Sequence, residues 1–154
     1  MLHCLVYASK AARLMENDDL LHLLQESRNW NETHGLTGLL LYVEGHFLAN
    51  NEGRFMQVLE GTPDEINLIF DKIKTDERHH QVTVLNQQPI AKRHFKTWSM
   101  GFNSLKLEEH LNTPGFFNPD DYFKDTPATP TFNVALNFMK TFYDMNRQYD
   151  FHGL

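Results

Sequence analysis

The chain has 154 residues, 41% of them apolar, a net charge of −6 and a single cysteine, Cys4. That length fits one domain, or one domain with a helical appendage. The acidic balance speaks against a nucleic-acid backbone as the main partner, and a lone cysteine excludes an intrachain disulfide or a thiolate metal cage. The N-terminal MLHCLVYASKAARLM lacks the unbroken apolar stretch of a signal peptide. No apolar run approaches the ~20 residues of a membrane helix. The expectation is a soluble, cytoplasmic protein with no membrane contact.

Leu2 to Tyr7 is a short apolar run that predicts a buried strand, with Ser9 to Glu16 as a connector. Asn17 can cap a helix with Asp18 and Asp19 in its first turn, favoured there by the helix dipole. Gly35 stops it. The inward stripe of this helix reads Leu20, Leu24, Ser27, Asn31, so it turns polar where a helix that only packed on a sheet would stay apolar. Gly38 to Val43 predicts a second strand, with turn signals at Glu44-Gly45 and Asn50 to Gly53. Phe55, Gln57 and Leu59 alternate with Met56, Val58 and Glu60, a period-two strand that puts Gln57 on the same face as two core residues.

Thr62, Pro63 and Glu65 mark the start of a second helix, whose buried stripe is Ile66, Ile69, Phe70 and Ile73. Asp76 to His80 is a polar connector. Val82 to Leu85 starts a fourth strand, and Trp98, Met100 and Phe102 share one face of a fifth. The order βαββαββ predicts an α+β, ferredoxin-like sandwich, with two helices on one face of a mixed five-stranded sheet. Asn112 to Pro130 reads as a linker. Phe132 to Tyr149 reads as an amphipathic helix with Val134, Phe138, Phe142 and Met145 aligned, covering the bare sheet face or forming a homo-oligomer contact. The domain division is therefore 1–103 and a C-terminal helical extension, 104–154.

The chain has no phosphate-binding glycine loop, no dinucleotide fingerprint, no zinc-protease motif and no nucleophile elbow. Its nine histidines are scattered, and no paired acids stand at a general acid–base spacing. What remains is a set of hydrogen-bonding side chains between the two helices and the sheet: Tyr7, Ser27, Asn31, Gln57, Arg78 and His79. Each has an ordinary reading alone, as a core tyrosine, a helix-bonded serine, a helix-ending asparagine, a sheet-edge glutamine or a surface cation near a helix end. Together they describe a cleft suited to a flat heterocycle.

These residues carry a resemblance. From Leu2 to Phe102 the chain resembles the BLUF domain, a blue-light sensor that binds FAD. The blocks are Val6 to Ser9, Ser27 to Asn31, Gly35 to Tyr42, Gly53 to Gly61, Asp76 to His79 and Trp98 to Phe102. The resemblance implies that Tyr7 is the electron and proton donor to the excited flavin and that Gln57 is the glutamine whose hydrogen bonds rearrange after light. It implies that Asn31 holds the flavin's O4/N3 edge with Ser27 nearby, and that Arg78 and His79, oriented by Asp76, lie near its pyrimidine edge. Trp98 and Met100 match the fifth-strand pair that passes the change outward. FAD is the implied cofactor and an unknown signalling protein the implied partner. Residues 103–154 are too few for a cyclase or phosphodiesterase domain, so the expected output is altered binding rather than catalysis.

The chain departs from the family in two places. Gly45 to Ala49 occupies the usual register of the glutamine strand and offers Ala49. The cue repeats as Gly53 to Gln57, which is taken as the true strand, with the hairpin lengthened by about eight residues. Trp30 stands where small polar side chains are common, and can lie over the flavin, pack beside it, or pack against the C-terminal segment. The alternative functions are a light-insensitive flavin-binding or interaction module, and a ferredoxin-like acylphosphatase-type hydrolase.

Overall fold

The computed structural model describes residues 1–47, 50–103, 111–124 and 134–147. Six strands form one sheet: β1 (Leu2–Ala11), β2 (Thr37–Phe47), β3 (Asn50–Gly61), β4 (His79–Ile90), β5 (Trp98–Gly101) and β6 (Phe116–Phe117). Their order is β4-β1-β3-β2-β5-β6. β1 pairs antiparallel with β3 and β4, and β2 antiparallel with β3, while β5 runs parallel to β2 and β6 parallel to β5. The first four strands give the ferredoxin-like arrangement. The sheet has six strands rather than five, because Phe116 and Phe117 add to the β5 edge from inside the segment expected to be a linker. That segment also contains a short helix, α3 (Pro119–Lys124). Residues 125–130 of it lie outside the described residues.

α1 (Asn17–Thr33) and α2 (Pro63–Lys74) pack on one face of the sheet. Glu16 rather than Asn17 caps α1, and its backbone N–H donates to Asp19 Oδ2 at 3.3 Å. The helix stops at Gly35, whose φ of +66° is one that glycine adopts without steric cost. α2 opens as expected: Thr62 Oγ1 accepts from Glu65 N at 3.3 Å and Pro63 takes the first turn. Leu20, Leu23 and Leu24 of α1 meet Leu40, Phe55 and Leu59 of the sheet, joined by Trp98, Met100 and Phe102. Ile66 of α2 meets Leu5 and Leu36.

The other sheet face is covered by α4 (Val134–Arg147) and α3. Ala135, Met139, Phe142 and Tyr143 of α4 and Phe123 of α3 pack on Cys4, Val6, Leu39, Leu41, Met56 and Val58. The buried stripe of α4 is thus turned from the expected one: Phe142 is buried and Phe138 partly so, but Met145 is 58% exposed.

Four turn or connector readings give way, in whole or in part, to strand. Ser9 to Ala11 continue β1. His79 and His80 open β4. Glu44-Gly45 and Asn50 to Gly53 lie within the β2–β3 ladder, which runs unbroken from Thr37 opposite Glu60 to Phe47 opposite Asn50. Gly53 is there for packing, since any side chain at that position would collide with the ring of Tyr42. The extra residues lengthen two strands rather than forming a loop.

Candidate functional site

Strand alternation sends Leu5, Tyr7 and Ser9 of β1, and Phe55, Gln57 and Leu59 of β3, toward the helices. Tyr7 and Gln57 are direct register partners. Two register shifts in the β1–β4 pairing, between Val6 and Tyr7 and between Ala8 and Lys10, bracket Tyr7 and Ala8. Irregularities of this kind re-aim side chains locally. The second copy of the glutamine cue is therefore the one in register with Tyr7; Ala49, in the first copy, lies outside the described residues.

Gln57 is the centre of a buried hydrogen-bond chain. Its Nε2 donates to Tyr7 Oη at 2.7 Å, and its Oε1 accepts from Trp98 Nε1 at 2.9 Å. An indole N–H can only donate, so Trp98 fixes which end of the amide is oxygen, and Nε2 must then face the phenol. All three residues are at most 5% exposed. Gly38 of β2 is the register partner of both Leu59 on β3 and Trp98 on β5. Burial raises the Tyr7 phenol above its ordinary range, against the lowering pull of its bond with Gln57. Its own proton has no acceptor among the described residues.

Beside this chain a cavity of about 480 Å³ opens between α1 and α2. Of the residues singled out from sequence, Tyr7, Ser27, Trp30, Gln57, Asp76, Arg78 and His79 line it. Asn31, Trp98 and Met100 do not. Trp98 is one hydrogen bond behind Gln57, and Met100 lies in the core layer below with no exposed surface. Asn31 is 2% exposed and its Oδ1 has no partner among the described residues. The sequence reading missed Leu23, Phe55, Ile69 and Ile73, which give the cavity its apolar walls, and Glu26, His34 and Lys72 at its polar side. The helix stripes signalled Ile69 and Ile73 as core; they are only partly buried because the two helices stand apart there.

His79 is tied on both nitrogens. Nε2 lies 2.6 Å from the Ile73 carbonyl, which can only accept, so this nitrogen carries the proton. Nδ1 then accepts from Ser9 Oγ at 2.7 Å. Arg78 donates through Nε to Asp76 Oδ1 at 2.9 Å and through Nη2 to Glu26 at 2.9 Å. Burial works to raise the Asp76 carboxyl, but hydrogen bonds from Arg78 outweigh it and hold the group below its ordinary range. Trp30 is sandwiched. The His34 ring stacks on it at 4.0 Å between centroids and Lys72 Nζ sits 3.7 Å over its centre. Two groups centred this close to one ring cannot share a face. Both faces of the indole are therefore taken, and it presents an edge to the cavity rather than a platform. It does not touch the C-terminal segment through these contacts.

The described residues hold no group of His, Cys, Asp and Glu that could bind a metal. Cys4 is no exposed nucleophile either: burial pushes its thiol up to about 12. The fold is a ferredoxin-like α+β domain, with a cleft between its helices and a buried phenol–amide–indole chain beneath it. The family model for sensors of blue light using FAD, BLUF, matches residues 2–101, and the chain belongs to that family. It is 31% identical over 113 residues to the photoactivated adenylate cyclase subunit beta of Euglena gracilis, covering 73% of this chain and 12% of that protein. The chain thus spans about an eighth of the length of that curated relative. Among solved structures, the BLUF domain of BlrP1 aligns with 99% of this chain and 97% of its own at a TM-score of 0.64 and 26% identity. The dark-state structure of BlrB, a BLUF protein, covers 79% and 89% at 0.56 and 30%. FAD is the cofactor by which the family is defined. No helix among the described residues is long and apolar enough to cross a membrane.

Proposed function

We propose that the cleft between α1 and α2 takes the isoalloxazine ring of FAD, and that the Tyr7–Gln57–Trp98 chain is the element that light switches. The observation that carries this reading is the Gln57 amide, held at both ends by buried partners at the cavity wall. The cavity fits such a group. Its volume is in the range of small-molecule sites, and its walls are mostly apolar with a few polar groups. On a residue that lines the cavity, the buried Trp30 indole N–H has no hydrogen-bond partner among the described residues, as expected of a group left for a ligand.

Bound FAD supplies the absorption of blue light and an excited state that accepts an electron and a proton. The protein supplies a two-position amide. With Oε1 toward Trp98, both ends of the amide are matched. Turning the amide over sets Nε2 against the Trp98 N–H, donor against donor, and that bond is lost. The same turn presents Oε1 to Tyr7, whose hydroxyl must then donate instead of accept. The phenol is kept protonated by burial, so it can play either part. Rotation of Gln57 and release of Trp98 are thus one event. Trp98 and Met100 on β5 carry the change to the sheet edge, where it alters binding to a second copy or to a separate protein.

Purified protein should be yellow. Blue light should shift its absorption slightly to the red, with recovery in the dark. Gln57→Leu should retain flavin and lose the normal shift. Colourless protein that cannot be reconstituted with FAD sinks the proposal, and a Gln57→Leu variant that shifts like the parent removes the amide from it.

A further inference from the structure

Glu60 is the one charged side chain among the described residues with no exposed surface. It follows Gln57 by three positions on β3, so its side chain points to the opposite sheet face. Its carboxylate is held by neutral donors. Oε1 accepts from Thr37 Oγ1 at 2.9 Å and from Phe95 N at 3.1 Å, and Oε2 accepts from His94 N at 2.8 Å. The Glu60 backbone carbonyl accepts from Arg93 Nη1 at 3.0 Å, and the same nitrogen lies 2.9 Å from Thr37 Oγ1. Three consecutive residues, Arg93, His94 and Phe95, are thus gathered on one glutamate. They belong to the connection between β4 and β5, and β5 begins at Trp98.

We propose that Glu60 is a positioning residue for Trp98: by clamping the β4–β5 connection it sets where β5 starts, and so holds the indole against Gln57. β5 has only four residues and pairs with β2 over that length alone. A strand this short has few ladder bonds of its own to fix its position. Two anchors precede it, the Glu60 clamp and the bond from Gly38 N to the Thr97 carbonyl at 3.1 Å. Burying a carboxylate is costly unless it is fully bonded, and here the carboxylate's donors come mainly from the segment leading into Trp98. The strand β3 thereby touches the switch from both sides of the sheet, through Gln57 on the helix face and through Glu60 on the other. The functional meaning of this clamp rests on the photosensory reading above, but its geometry can be tested without light.

The test is the indole N–H of Trp98 in ¹H–¹⁵N spectra of the full chain in the dark, with the indole N–H of Trp30 as control for global unfolding. Glu60→Gln keeps the shape but turns one acceptor into a donor, so it must lose a bond to His94, Phe95 or Thr37. The Trp98 indole proton should then exchange about tenfold faster and lose its hydrogen-bonded shift, while that of Trp30 stays put. Arg93→Ala, on an exposed side chain, is the second variant and should act in the same direction by about threefold. If Glu60→Gln folds and changes the His94 and Phe95 amides but leaves the Trp98 proton untouched, the proposal is overturned. If that variant does not fold, an unchanged Trp98 proton in Arg93→Ala overturns it. Failure of the photosensory reading would show separately, as an unmutated protein with no light-induced shift whose Trp98 proton still responds to these substitutions.

Discussion

The hydrogen-bond chain makes a quantitative demand on a double-mutant cycle between Tyr7 and Gln57. Tyr7→Phe removes the phenol oxygen and leaves Gln57 Nε2 without the acceptor now 2.7 Å away. A buried polar group stranded in this way costs about 1–3 kcal/mol. Gln57→Leu strands two groups, Tyr7 Oη and Trp98 Nε1, at about 2–6 kcal/mol before a return of roughly 1 kcal/mol for the apolar replacement. The double variant strands only Trp98 Nε1. Its loss should therefore fall short of the sum of the single losses by two stranded groups, about 2–6 kcal/mol. Urea unfolding of the flavin-free protein, followed by far-ultraviolet circular dichroism, reads these values without the cofactor. Thermal midpoints should move by about 2–4 °C per kcal/mol. Single losses that add to the double loss within about 0.5 kcal/mol would mean that the phenol and the amide do not share a network.

Gly38→Ala would drive a methyl group into the Val58 carbonyl at a φ of +143°, and should cost about 3 kcal/mol or more, seen as insoluble expression or a collapsed thermal midpoint. Met139 has no exposed surface under α4, so Met139→Ala should cost about 2–5 kcal/mol in urea unfolding; a neutral result would argue that α4 does not rest on the sheet. The Asp76 carboxyl is depressed in the folded state by Arg78, in spite of burial. Its contribution to stability is therefore complete above the unfolded value of about 3.9 and lost as pH falls through the lower folded value. Urea midpoints measured below about pH 4 should show an acid limb that is flatter in Arg78→Ala than in the parent.

What the sequence disclosed follows from the range of the interactions involved. Period-two alternation is local, so Phe55, Gln57 and Leu59 declared their shared face, and the polar end of the α1 stripe declared that something other than core packing happens near Ser27 and Asn31. The direction of Trp98 is set by non-local facts: the parallel register that puts Gly38 opposite Trp98, and the clamp on the preceding connection. No pattern within β5 encodes any of these. Turn signals misled for the same reason. Gly53 has the composition of a turn but is required by the ring of Tyr42, which in turn accepts from Met15 N and donates to Glu44. The Pro- and Asp-rich segment after residue 111 reads as linker on composition. Its described part, residues 111–124, is built around Phe116, Phe117 and Phe123, which pack against elements distant in the chain.

Trp30 shows the limit most clearly, because a large aromatic side chain beside a ligand site invites a stacking role. Only the placement of His34 one turn later and of Lys72 on the other helix reveals that both faces of its ring are already taken. The consequence is structural before it is functional. The indole bridges α1 to α2 at the cavity wall, with a cation on an exposed site contributing about 0.5–1 kcal/mol through the ring. Any ligand entering between the helices meets the edge of Trp30, or else must displace Lys72 to reach its face.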